Sequence, residues 1–298
     1  MNFTLQIKLS GHKGSIYTIL HDSVSKQVFT GGGDGWLVQW TKGEKDGKLI
    51  ADVGDQIFSM ANVRRDFLAL GAMNGELYFI DRSNRLPPRK KIFHRKGIYD
   101  LHPFDQYLIS AGGDGKLGFW NTETTEIEES VSLSHQRLRC LALNRDKTQL
   151  AVGASDGTIK VLSTHDWSII TRIERAHTPS VFTLSWWGDD YLISGGRDAH
   201  LKVWNTKDPL RPEQDLAAHW FTINHLKVHP YLNLVATASR DKTIRLWSLD
   251  DFRLVQSLDA TKSGGHINSV NRVSWTNDGK QLYSVSDDAT IGVWDFNF

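Results

Sequence analysis

Seven times along this chain an apolar run, a tight polar turn and a second apolar run follow one another in the same order. The first runs read QVFTGG, FLALGA, YLISAG, QLAVGA, YLISGG, LVATAS and QLYSVS, and the second WLVQW, ELYFI, KLGFW, TIKVL, HLKVW, TIRLW and TIGVW. Apolar and polar positions that alternate on either side of a short Gly-, Asn- or Asp-containing turn predict antiparallel hairpins. A further apolar segment precedes each hairpin, as in SIYTIL, SVFTLSW and SVNRVSW, and a more polar one such as DFRLVQSL follows. Each unit therefore holds four strands.

The turns centre on Asp34, Asn74, Asp114, Asp156, Asp198, Asp241 and Asp288, at intervals of 40, 40, 42, 42, 43 and 47 residues. Four-stranded units at this period are the signature of propeller blades. A single such sheet cannot bury both its faces, so the blades must stack around an axis. The expected fold is all-β: a seven-bladed β-propeller of four-stranded antiparallel blades, forming one domain over residues 1–298. The chain ends just after the third strand of the seventh unit and begins with the unassigned alternating strand Phe3 to Leu9. That strand is expected to complete the last blade and close the fold.

Five units also share four polar or amphipathic positions. They are His12, Thr30, Asp34 and Trp40; His94, Ser110, Asp114 and Trp120; His177, Ser194, Asp198 and Trp204; His219, Thr237, Asp241 and Trp247; and His266, Ser284, Asp288 and Trp294. An indole N–H only donates, a hydroxyl does both, a neutral imidazole does one of each and a carboxylate accepts, so the four can form one satisfied chain. The second unit replaces the set with Leu70, Asn74 and Ile80 and has no matching His. The fourth keeps His135 and Asp156 but has Val152 and Leu162.

The Gly11-His12 and Gly265-His266 pairs, the Asp turns and the Trp294-Asp295 ending resemble the WD-repeat family, and the resemblance covers the whole chain. It implies a seven-bladed propeller in which the polar tetrads are structural. A Ser, His and Asp together also suggest a hydrolase triad, but here the Ser falls within a strand rather than on an exposed elbow, and no oxyanion loop is evident. Repetition in five units favours a brace over a catalyst, so no enzyme activity is expected.

The resemblance further implies that the start of each first strand and each hairpin turn emerge around a central channel, where partners dock. The position five after the tetrad His, or its equivalent, holds Tyr17, Phe58, Tyr99, Arg139, Phe182, Asn224 and Asn271. Arg197 and Arg240 stand just before their turns, and Trp220 and Phe221 follow His219. Aromatic residues and Arg are enriched at binding hot spots, so Tyr17, Phe58, Tyr99, Arg139, Phe182, Arg197, Trp220, Asn224, Arg240 and Asn271 are the candidate contacts for a protein or peptide segment. The same rings also suit packing between neighbouring blades.

Charge and composition narrow the alternatives. With 35 basic and 34 acidic residues the net charge is +1, which leaves no global field to attract nucleic acid or a membrane. The exception is DRSNRLPPRKKIFHRK, where Arg82, Arg85, Arg89, Lys90, Lys91, Arg95 and Lys96 follow Asp81 without another acid. This run offers an alternative function as an RNA- or ribonucleoprotein-associated subunit, but also reads as an outer edge strand protected by its charges. The lone Cys140 cannot form an internal disulfide, and no apolar stretch is long enough to span a bilayer. A cytoplasmic monomer is expected.

No cofactor or metal is expected. The glycine-rich AGGDGKLG lacks the spacing of a phosphate loop, and the histidines outside the tetrads show no paired metal spacing; His102-Pro103 and His229-Pro230 read as turns. The 47-residue interval arises from DATKSGG before His266, expected as a mobile loop.

Overall fold

The computed structural model describes residues 2–22, 25–64, 66–83 and 85–297. It contains seven four-stranded antiparallel sheets. Blades one to six occupy residues 16–52, 57–92, 98–132, 138–173, 181–217 and 223–258, each running in chain order from first strand to fourth. The seventh takes three strands from 270–297 and its outer strand from Asn2–Ser10.

Two compact units can be distinguished, one of residues 1–54 with 219–298 and the other of residues 55–218. In the first, blades six, seven and one enclose two apolar clusters. Leu234, Leu246, Val270, Trp275, Leu282 and Trp294 fill one, and Leu9, Ile16, Val38, Trp40, Val285 and Val293 the other. In the second unit, blades two to five bury three clusters, represented by Leu77 with Leu108, Ile109 with Leu150, and Ala151 with Leu192. Strands with one side facing each neighbouring sheet need apolar residues on both sides. This explains why the second strands, such as Tyr107–Gly112 and Leu234–Ser239, are buried almost continuously while the fourth strands are largely exposed.

The N-terminal strand pairs along its length with Thr290–Asn297, from Asn2 opposite Asn297 to Ser10 opposite Thr290, so the two ends of the chain share one sheet. Phe3 lies 4.4 Å from Phe296 in a stacked arrangement and 5.7 Å from Trp275. Its backbone is clamped by one amide side chain: its N–H donates to Gln256 Oε1 at 2.8 Å, and its carbonyl accepts from Gln256 Nε2 at 2.9 Å.

The DATKSGG segment contains a helical turn: Asp259 caps Ala260–Ser263 by accepting from the N–H groups of Thr261 and Lys262, and Gly264 ends it in the left-handed region at φ 68°. Lys8 of the N-terminal strand then fastens it by donating to the Gly265 carbonyl at 2.6 Å. One His-Pro reading is corrected, since His102 and Pro103 lie within the strand Ile98–Phe104 and not in a turn. His229 and Pro230 fall in the connection between Ile223–Val228 and Leu234–Ser239, where His229 is buried, its Nδ1 accepting from Tyr231 and Leu232 N–H and its Nε2 donating to the Gly279 carbonyl.

Because the N-terminal strand supplies both ladder bonds and a fully packed ring, Phe3→Ala should cost about 3–5 kcal/mol in urea unfolding. Removing residues 2–9 should be more damaging still, since Trp294 and Phe296 lose their cover. A Phe3→Ala protein as stable as the parent would show that this strand contributes little.

Candidate functional site

The five polar sets are continuous hydrogen-bond chains. In blade one the Trp40 indole donates to Thr30 Oγ1 at 2.8 Å, the Thr30 hydroxyl donates to His12 Nε2 at 2.8 Å, and His12 Nδ1 donates to Asp34 at 2.9 Å. Because a carboxylate can only accept, the imidazole proton belongs on Nδ1 and Nε2 is left to accept. Blades three, five, six and seven repeat the arrangement with links of 2.7 to 3.1 Å. Each Asp also accepts from the N–H that follows its His, at Lys13, Arg95, Thr178, Trp220 and Ile267, and so fixes the loop entering the blade. The fit is close enough to select residues nearby: a Cβ on Gly112 would stand 2.0 Å from His94 Nδ1.

Burial pushes the His12, His177 and His219 imidazoles below their ordinary value, against the upward pull of Asp34, Asp198 and Asp241. Burial alone would raise the carboxyls of Asp198, Asp241 and Asp288. Hydrogen bonds and charge from their His partners outweigh it and hold all three below the usual carboxylate range. The imidazole and its hydroxyl partner are buried in each set and the indole donates to that hydroxyl, so each chain of bonds ties the loop entering the blade to its second and third strands.

Blades two and four depart as the sequence indicated, with one correction. His135 is exposed, and the neighbouring Ser134 takes the tetrad position, its hydroxyl donating to Asp156 at 2.6 Å. In blade two Leu70 and Ile80 are fully or nearly fully buried, and Asn74 caps the turn by accepting from Glu76 N–H at 2.9 Å.

Seven of the ten candidate partner-binding positions have a common backbone origin that the sequence did not reveal. The register of every first strand slips by one residue, between Ile16 and Thr18, Ile57 and Ser59, Ile98 and Asp100, Leu138 and Cys140, Val181 and Thr183, Ile223 and His225, and Val270 and Arg272. The omitted residues are Tyr17, Phe58, Tyr99, Arg139, Phe182, Asn224 and Asn271. Each is the extra residue of a β-bulge, a device that re-aims a side chain out of the ladder. Two residues upstream of each, a carbonyl accepts from the N–H just before the hairpin turn, for example Gly33 N–H to Ser15 and Arg197 N–H to Ser180.

In the first unit these positions serve as bolts. The Asn224 side chain donates to the Val270 carbonyl at 2.9 Å, and Asn271 donates to the Ile16 carbonyl at 2.9 Å and to Asp287 at 2.7 Å. Tyr17 lies beside Gly33 and is partly buried. Several exposed side chains stand near them in sequence, Trp220 at 80%, Phe221 at 60% and Ile267 at 68%, and Arg240 before its turn is also exposed.

In the second unit the bulge residues form a row. Phe58 meets Tyr99 edge-on with centroids 5.7 Å apart, and the Arg139 guanidinium lies 4.4 Å from the Tyr99 ring and 5.0 Å from Phe182. Arg139 Nε donates to Ser155 Oγ at 2.8 Å. Burial pulls the Arg139 guanidinium below its ordinary value, and the nearby charges of Arg137 and Arg197 add to the effect. Among the described residues no ion pair reaches Arg137, Arg139 or Arg197.

The basic run behaves differently. Arg89–Ile92 is the outer strand of blade two, and acids from elsewhere meet it: Lys90 pairs with Glu76 at 2.9 Å, and Lys91 pairs with Glu126. Arg82 donates to Asn62. Asn84 of this run lies outside the described residues.

Seven four-stranded sheets, five of them braced by the same indole-to-carboxylate chain, define a β-propeller built of WD repeats. Residues 3–41, 88–121, 128–163, 168–205, 210–248 and 254–295 match the family model for the WD domain, G-beta repeat, and the chain belongs to that family. The longest unmatched stretch, residues 42–87, holds Leu70, Asn74 and Ile80, which stand in place of the tetrad in blade two. A crystal structure of the WD40 beta propeller domain of Doa1 is similar over 99% of this chain and 97% of that one, with a TM-score of 0.87 and 17% identity.

Among curated relatives, the nuclear distribution protein nudF of Emericella nidulans is 30% identical over 52% of this chain and 38% of its own length. The nuclear distribution protein PAC1 of Arthroderma otae is 27% identical over 58% and 39%, and WD repeat-containing protein 37 of Homo sapiens is 28% identical over 65% and 38%. The matched region is thus less than two-fifths of each of these relatives. Among the described residues no helix is long and apolar enough to cross a membrane.

Ser284→Ala leaves the Trp294 indole N–H and His266 Nε2 buried without their shared partner, and should cost about 1–3 kcal/mol in denaturant unfolding; no loss would mean the hydroxyl is dispensable. Stability should also fall with acid in two stages. The imidazoles of His12, His177 and His219 bind protons less readily folded than unfolded, so their contribution is full above the ordinary value of 6.5 and is lost as pH falls below it. The carboxyls of Asp198, Asp241 and Asp288 are held below 3.8, so theirs is full above that value and is lost below it. Urea midpoints measured from pH 8 to 3 check this, and a midpoint that rises between pH 7 and 5 would contradict the neutral buried imidazoles.

Proposed function

We propose that this chain is a non-catalytic interaction platform of the cytoplasm, and that the bulged ends of its first strands hold an acidic peptide or protein segment. The observation that carries this reading is Arg139: a desolvated guanidinium between two aromatic rings, with Arg137 and Arg197 near it and no carboxylate paired to any of the three among the described residues. A buried cation is costly unless it is paired. The two ring faces compensate in part, and a carboxylate from a partner would compensate fully through charge-assisted hydrogen bonds. The flanking rings of Phe58, Tyr99 and Phe182 supply the apolar surroundings typical of hot spots.

WD-repeat propellers are typical protein-interaction scaffolds, which supports the class of function. The names of the relatives do not identify a partner for this chain. The nucleic-acid reading is weaker, because the central lysines of the basic strand are already paired with Glu76 and Glu126.

Arg137 and Arg197 are exposed, so Arg137→Ala/Arg197→Ala should fold normally. On an array of acidic and neutral peptides the parent should select acidic sequences, and the double variant should bind them at least tenfold more weakly with an unchanged Tm. Equal binding of neutral sequences, or unchanged affinity in the variant, would refute the assignment.

A further inference from the structure

A cavity of about 270 Å³ opens in the first unit where the N-terminal strand meets blade one. Ile7 and Leu9 of that strand, Val293 and Tyr283 of blade seven, and Val28 and Trp40 of blade one form its apolar wall. Its rim carries Lys26, Lys42 and Lys45 against a single acid, Glu44. The lysines are exposed, and among the described residues none of the three takes part in an ion pair. Asp278 stands outside the lining; hydrogen bonds from Thr276 and the Lys280 N–H hold its carboxyl below the ordinary value, and the charges of Lys280 and Lys42 add to the effect. The rim therefore keeps an excess of positive charge even when both acids are counted.

An apolar hollow under a cationic rim has a definite complement: a compact apolar body ending in a negative charge. We infer that this cavity binds a small amphipathic carboxylate, its hydrocarbon portion against Ile7, Val28 and Val293 and its carboxylate among Lys26, Lys42 and Lys45. The volume corresponds to about nine waters at their liquid share of roughly 30 Å³ each, which suits a ligand of about ten heavy atoms. It lies just below the usual range of drug-sized sites, as suits a small ligand.

The position gives such a ligand a structural effect. The wall takes residues from the N-terminal strand and from blade one, and Gln6, the bulged residue of that strand, stands at the edge with its Oε1 accepting from Gln281 at 3.1 Å. A bound carboxylate would hold the N-terminal strand against its neighbour and stabilise the folded state by linkage. The lining includes none of the first-strand bulge residues, and the site does not depend on the function proposed for them.

The test uses the full chain with octanoate, and with octan-1-ol as the uncharged counterpart. Octanoate should shift the NMR resonances of Ile7, Leu9, Trp40 and Tyr283 saturably and raise Tm, and octan-1-ol should bind at least tenfold more weakly. Lys42→Glu/Lys45→Glu changes only exposed side chains and should weaken octanoate at least tenfold without affecting octan-1-ol. Ile7→Trp, which fills the mouth, should abolish both.

Absence of saturable shifts, shifts confined to other residues, or octanoate affinity unchanged by the charge reversal would overturn the proposal. So would tighter competition at the same resonances by the peptide acetyl-Glu-Leu-Glu-amide, which would assign the cavity to a protein segment instead.

Discussion

One backbone hydrogen bond recurs in all seven blades, from the N–H that precedes the hairpin turn to the carbonyl two residues before the bulge. It holds the hairpin against the start of the first strand at the place where the ladder slips by one residue. The tetrads are present in five blades only, and blades two and four keep both the bond and the bulge without them. Regular backbone geometry thus precedes the polar braces, and the braces stabilise an arrangement the backbone already makes.

The same geometry turns one sequence position to two uses. A bulge releases a side chain from the alternation of the strand, and several of the residues that stand there meet the next blade within their unit. When the residue is Asn, as at 224 and 271, its amide finds a neighbouring carbonyl and becomes a bolt. When it is aromatic or Arg, as at 58, 99, 139 and 182, the side chains stack, and the stack leaves a guanidinium short of a counter-charge. Packing and recognition are therefore not exclusive at these positions: the contacts that order Arg139 also desolvate it, and desolvation is what makes an anionic partner favourable.

Blade two shows how a polar network is lost without loss of the fold. Leu70 and Ile80 remove the hydroxyl and the indole together, so no donor is stranded, which is why whole replacement is tolerated where single deletion is not. Blade four follows a different course. Val152 and Leu162 make its interior apolar while Ser134 and Asp156 keep the hydrogen bond at its exposed end, so the loop remains fixed although the buried part of the chain of bonds is gone.

Periodicity alone determined the sheets, their number, the hairpin turns, the five tetrads and the pairing of the N-terminal strand with the last blade. Each follows from local alternation or from donors and acceptors at fixed spacing, and such patterns survive in a linear string. Other features were decided by tertiary structure. The bulges leave no mark in hydrophobic pattern, because a slip of one residue changes direction and not composition. Ser134 was hidden because an exposed His stood beside it. The acids that pair with Lys90 and Lys91 come from another strand and from a turn of the next blade, 14 and 35 residues away. The lysine-rimmed cavity gathers residues from both ends of the chain, and only the joining of those ends in one sheet brings them together.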